Sequence, residues 1–179
     1  MGRVLFTLFF RESMMSSNLQ NAVDRIIEVV MFENWLRFYF IVEEGDTLYI
    51  RLPEKAMEQL KKRYGRFYDL ADRLNNVPIS HETSMNEVCL FISGGFDGHP
   101  ISDETVSRVF ESGAFQMEMQ LFGYWVQAHE EQLDASFLEF SEWKRLFSEW
   151  EQSDEVREYR TKLAERLVLS GSDASETVQ

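Results

Sequence analysis

The sequence predicts a mainly α fold: a single-domain bundle of about five to six helices carrying one small β-hairpin, at about residues 35–52. Three observations lead there. Apolar residues recur at helical spacing through most of the chain, and capping residues stand ahead of several of those stretches. Two aromatic and β-branched runs flank Glu43-Glu44-Gly45-Asp46, the pattern of a hairpin. Neither a Pro/Gly/Ser-rich linker nor a repeat with a period of about 20–50 residues divides the sequence.

The elements follow in order. Val4–Phe10 is an apolar run ended by Arg11 and Glu12. It is too short to cross a bilayer, which takes about 20 residues, and no small-x-small cleavage site follows it. It is expected to form a strand or a docked hydrophobic arm. A start at Met14 or Met15 is the alternative to Met1 and would leave residues 1–13 outside the domain. Ser17 or Asn18 can cap the first helix, whose apolar positions Leu19, Ala22, Val23, Ile26, Ile27 and Val30 share one face. The hairpin arms are Trp35–Val42 and Thr47–Leu52, with Leu48, Ile50 and Leu52 on one side. A lone hairpin is marginal in water, so it must pack on helices or gain another strand; Val4–Phe10 and Val88–Ile92 are the candidates.

Pro53 opens a helix running to about Asn75, with Met57, Leu60, Tyr64, Phe67, Ala71 and Leu74 spaced 3, 4, 3, 4 and 3. Gly65 inside it costs about 1 kcal/mol relative to alanine, for which close contact with another helix is one reason. Ser84 and Glu87 match a capping box ahead of Val88–Ile92, which reads as helix with a buried strand as the alternative. The loop Ser93–Pro100, with three glycines, is the clearest seam. Ser102 caps a long helix, with Asp103 and Glu104 in its first turn, and Gly113–Ala128, carrying Glu118 as its one charge, is the central helix. Ser136 and Glu139 form a second capping box before the stripe Phe140, Trp143, Phe147 and Trp150, spaced 3, 4 and 3. A last helix runs from Asp154 to about Leu169, burying Val156, Tyr159, Leu163 and Leu167. The domain therefore spans residues 1–169, and composition makes 170–179 a disordered tail.

Composition narrows the function. The 179 residues carry 18 basic against 31 acidic side chains, a net charge of −13, and residues 103–179 hold −10 of it. Such a surface argues against binding a phosphate backbone, which needs clustered Lys and Arg. The single Cys89 excludes an intramolecular disulfide and a thiolate metal cluster, and its apolar neighbours suit a small core residue. His81, His99 and His129 form no pair with metal-ligand spacing on one helix face, and the glycine-rich loop lacks the phosphate-binding patterns. His129 suits a cation at a helix C-terminus. A composite polar site of His81, Asp97, His99 and Glu118 is the one arrangement open to an enzyme or small-ligand binder.

Lys61, Lys62, Arg63, Arg66 and Arg73 make the only basic cluster. Interleaved Tyr64, Phe67 and Tyr68 give a nucleic-acid-associated regulator a foothold, while nearby acids favour a solvated face or a dock for an acidic patch. Glu139, Glu142, Glu149 and Glu151 fall opposite the aromatic stripe and should be solvated. The stripe reads first as core, and as a contact surface second. The function expected is thus a non-enzymatic protein–protein interaction module that self-associates, cytoplasmic, with no membrane contact and no cofactor. Lys61, Lys62, Arg66, Trp143, Phe147 and Trp150 are its candidate contact residues, and the partner is another protein or a second copy.

Overall fold

The computed structural model describes residues 17–94 and 99–175, the side chains of residues 17, 81, 84 and 167–175 excepted. The expected arm at Val4–Phe10, the choice of start residue and Asp97 lie outside these residues. Among the described residues there are nine helices and one two-stranded antiparallel hairpin, so the protein is mainly α. The chain divides into two compact units, one spanning residues 21–109 and the other Phe110 onward with residues 17–20. The division falls at Val109–Phe110 and not at the glycine-rich seam.

In the first unit, α1 (Ser17–Phe40) runs well past the expected end of its helix. The aromatic and β-branched composition of Trp35–Val42 suits a strand arm, yet Trp35–Phe40 is helical. Strand propensity yields to packing, and Val29, Phe32, Trp35 and Leu36 continue the buried helical stripe begun by Val23 and Ile26. Glu33 is also buried on this helix, and Arg37 one turn later pairs with it at 3.6 Å. The hairpin is correspondingly short: β1 (Ile41–Glu44) and β2 (Thr47–Ile50), joined by Gly45 and Asp46. Gly45 has φ +62°, which only glycine adopts without cost at the first turn position, as in a type II′ turn.

Of the two candidates for supporting the hairpin, Val88–Ile92 is helical and Val4–Phe10 lies outside the described residues. Residues 75–79 lie along β2, where Asn76 N–H donates to the Ile50 carbonyl and Ile79 N–H to the Leu48 carbonyl, both at 2.8 Å. Asn75 Oδ1 accepts from Leu52 N–H at 2.9 Å, and Asn76 takes φ 63°, a left-handed conformation that asparagine tolerates. Periodicity could not find this segment because it is a turn that borrows a strand's hydrogen bonds.

The helix expected over Pro53–Asn75 is two, α2 (Glu54–Arg63) and α3 (Gly65–Leu74). Tyr64 breaks it at φ −129°, ψ 47°, and a Cβ built on Gly65 would meet nothing within 4 Å. The glycine marks the break and does not serve a close helix contact. Phe67 on α3 stacks on Phe32 of α1 at 4.7 Å and lies 6.4 Å from Phe91 of α4 (His81–Ser93), so three helices share one aromatic core. Burying Phe67 alone is worth about 1.5–3 kcal/mol. Val88–Ile92 is helical, within α4. Its cap is Ser80, whose Oγ accepts from Thr83 N–H at 3.1 Å, and not Ser84. The first residue able to stop the unpaired N–H groups takes the cap, and Ser84 falls a turn too late.

α5 (Asp103–Glu111) starts as expected, with Ser102 Oγ accepting from Thr105 N–H at 3.3 Å, and Ser93 Oγ donates to Asp103 at 2.8 Å. In the second unit, Ser112 caps α6 (Gly113–Ala128) through Phe115 N–H at 3.3 Å. A short α7 (Glu130–Asp134) follows, and then α8 (Phe140–Glu151). The box at Ser136 and Glu139 is not used: Glu139 precedes the helix with φ −68°, ψ 154° and makes no side-chain cap bond. α9 (Asp154–Ser175) continues past Leu169 into the segment that composition reads as a tail, since Ser and Gly alone do not stop a helix already propagating. Residues 176–179 lie outside the description.

Candidate functional site

The second unit carries its core along one line of α6. Met117 and Leu121 pack with Val156 and Leu163 of α9, and Trp150 and Tyr159 rest against that group. A second, aromatic part joins α6 to α8: Phe122, Trp125, Trp143 and Phe147 are all buried, with Trp125 edge-on to Trp143 at 5.2 Å. Trp143 is 0% exposed and Phe147 6%. Both therefore belong to the core and leave the list of candidate contact residues, because their helical stripe is turned onto α6. Trp150 closes the stripe and is only half-buried.

Past Leu121 the same line of α6 reaches Tyr124, which is 42% exposed. Tyr124 stacks on Tyr159 of α9 at 5.3 Å and 25°, and stands 5.9 Å from Trp150 of α8. α9 is set in place by its first turn, where Ser153 Oγ accepts from Val156 N–H at 3.4 Å and Asp154 and Glu155 favour the positive end of the helix dipole. Spacing of three and four then puts Val156, Tyr159 and Leu163 on the inner face. The three rings and Val156 line a recess of about 210 Å³, with Glu155, Glu158 and Lys162 on its rim. This is the candidate functional site.

The same unit holds a charge cluster that the sequence did not reveal. Arg160 of α9 pairs with Glu118 at 3.1 Å and is hydrogen-bonded to Glu151. Glu118 is 9% exposed, and a guanidinium between two carboxylates makes that burial tolerable. Glu151 thus faces inward, correcting the expectation that all four acids near the stripe are solvated. Glu142 and Glu149 do point outward, both bonded to Arg145, and the guanidinium holds the Glu142 carboxyl below its usual range. His129 ends α6, its Nδ1 2.9 Å from the Trp125 carbonyl and its ring 6.0 Å from Trp150.

The expected composite of His81, Asp97, His99 and Glu118 is only partly described. Glu118 is engaged by Arg160 in the second unit. His99 belongs to the first unit, where its carbonyl accepts from Arg25. Asp97 and the His81 side chain lie outside the description. Among the described residues no group of three or more His, Cys, Asp or Glu is placed to hold a metal ion, and no helix is long and apolar enough to cross a membrane. Of the basic cluster, Arg66 is bonded to Glu28 and lies over the Phe67 ring, Lys61 Nζ sits 5.4 Å over the Tyr68 ring, and Lys62 is exposed.

Two measurements test these placements. Trp35, Trp125 and Trp143 are each at most 2% exposed, so Trp150→Phe is expected to remove most of the tryptophan emission that acrylamide can quench. Equal quenching in the variant and the wild type would contradict the site. Cys89 is half-buried, and burial first, then the nearby Asp103 carboxylate, push its thiol above the ordinary value. Alkylation at pH 8 is therefore expected to be several-fold slower than for a free cysteine, the thiolate being the reactive form, and to accelerate as pH rises.

Comparison with protein-family models, with curated proteins and with solved structures finds no match to this chain.

Proposed function

We propose that this chain is a non-enzymatic protein–protein interaction module of the cytoplasm, able to pair with itself, whose contact surface is the cleft at Tyr124, Trp150 and Tyr159. One observation carries the reading: Tyr124 is exposed although stacked on Tyr159, whereas Phe122 and Trp125 beside it on α6 are buried. A ring held rigid by stacking offers a large contact area at small entropic cost, which is why Tyr and Trp concentrate at protein interfaces. The recess of about 210 Å³ suits one inserted side chain. Small-molecule sites are usually larger, about 300–1,000 Å³. Glu118 and Glu151 are engaged by Arg160, which favours a structural role for them over acid–base chemistry.

Affinity capture with three full-length forms tests the reading. Partners retained by the wild type are expected to be retained by Leu90→Ser, which alters an exposed apolar residue of the other unit, and lost from Tyr124→Ser. A set of partners unchanged by Tyr124→Ser contradicts it.

A further inference from the structure

We propose that the cleft receives the basic end of α2 from a second copy of this chain, with Lys61 and Lys62 of one copy set against Glu155 and Glu158 of the other. The inference rests on the reading of the cleft as a contact surface and names what occupies it.

Both halves of the contact are present in one chain. The cleft combines ring surface and Val156 with two exposed carboxylates one turn apart on α9. That mixture fits a long amphipathic cation, whose methylene stem lies on the rings while its head meets the carboxylates. Lysine has this form. The chain's one basic cluster offers two of them, Lys61 and Lys62, both exposed in the last turn of α2, where the helix dipole favours positive charge. Arg66 is already held by Glu28, so it is not part of the contact.

The magnitudes make the association weak. Lys162 lies on the same rim, four residues after Glu158, and offsets one of the two carboxylates. Two copies at −13 each also repel over long range. A recess this small buries far less than the roughly 1,200 Å² of a stable interface. Reciprocal exchange, in which each copy gives its lysines and receives the other's, doubles the contact and closes the pair. The expected species is a reversible dimer that populates only at high concentration.

Sedimentation equilibrium on full-length protein tests this by charge reversal. Wild-type chain is expected to show a monomer–dimer equilibrium. K61E/K62E and E155K/E158K, all at exposed positions, should each weaken it by roughly tenfold or more, because like charges then face each other. Mixed in equal amounts, the two variants should regain the dimer, since acidic α2 meets basic cleft in one contact and the native pairing stands in the other. A wild type that stays monomeric at every concentration overturns the second-copy contact, as do variants that dimerise unchanged or a mixture that fails to restore the dimer. Loss of partner capture in Tyr124→Ser is read separately, so the interaction-module reading can survive that result.

Discussion

Replacing Trp143 by alanine is expected to lower the stability of the second unit by about 3–5 kcal/mol, the largest effect of any single substitution in the aromatic stripe. The indole is wholly buried, edge-on to Trp125 at 5.2 Å and 6.2 Å from Phe122. Its removal forfeits both transfer free energy and the contacts around the cavity it leaves. Aromatic pairs of this geometry contribute about 0.5–1.5 kcal/mol beyond area alone. Trp150→Ala, seven residues along the same stripe, should cost clearly less, because its ring is half-buried at the edge of the recess. Urea unfolding followed by far-UV circular dichroism compares them, with an unchanged m value marking a change in stability alone. If Trp143→Ala proves no more costly than Trp150→Ala, the stripe is a surface and Trp143 is not a core residue.

That contrast also shows what the sequence could and could not convey. The spacing of Phe140, Trp143, Phe147 and Trp150 announces a helix face, and the face exists. Where along it the burial ends is a property of α6 and α9, which lie elsewhere in the chain. The same limit explains Trp35–Phe40. Their composition suits a strand, and burial of Trp35 and Leu36 in line with Phe32, which stacks on Phe67 of α3, makes a helical stripe the better use of the segment. Caps were legible where a serine stands directly before its helix, as at Ser102. They were missed where two serines compete, as at Ser80 and Ser84. Of the candidate site, Trp150 was visible as a large aromatic at helical spacing. Tyr124 and Tyr159 were seen only as members of their own helices, because stacking between residues 35 apart leaves no local trace.

Arg160→Ala is expected to cost about 3 kcal/mol at neutral pH, and most of that cost should disappear on acidification. In the wild type, Glu118 and Glu151 approach one guanidinium from α6 and α8, so the arginine of α9 ties three helices at one point. The three side chains keep 11–23% of their surface exposed, which places the loss at the lower end of the range for breaking a buried ion pair. What remains after the substitution is two carboxylates with their cation gone, one of them almost out of water. Both desolvation and mutual repulsion then disfavour the charged forms of the stranded pair. A raised carboxyl pKa destabilises at pH values above it and ceases to do so once both the folded and unfolded forms are protonated. The deficit of Arg160→Ala relative to the wild type should therefore be greatest near pH 7 and shrink as acid neutralises the stranded carboxylates. E118Q/R160M, which removes the buried charge together with its partner and keeps a stem of similar length, should recover most of the loss at pH 7. Unfolding midpoints for the three proteins across this range separate the two origins of the effect. A deficit that does not change with pH, and that the double variant does not recover, assigns it to the lost packing of the arginine stem and not to the stranded carboxylates.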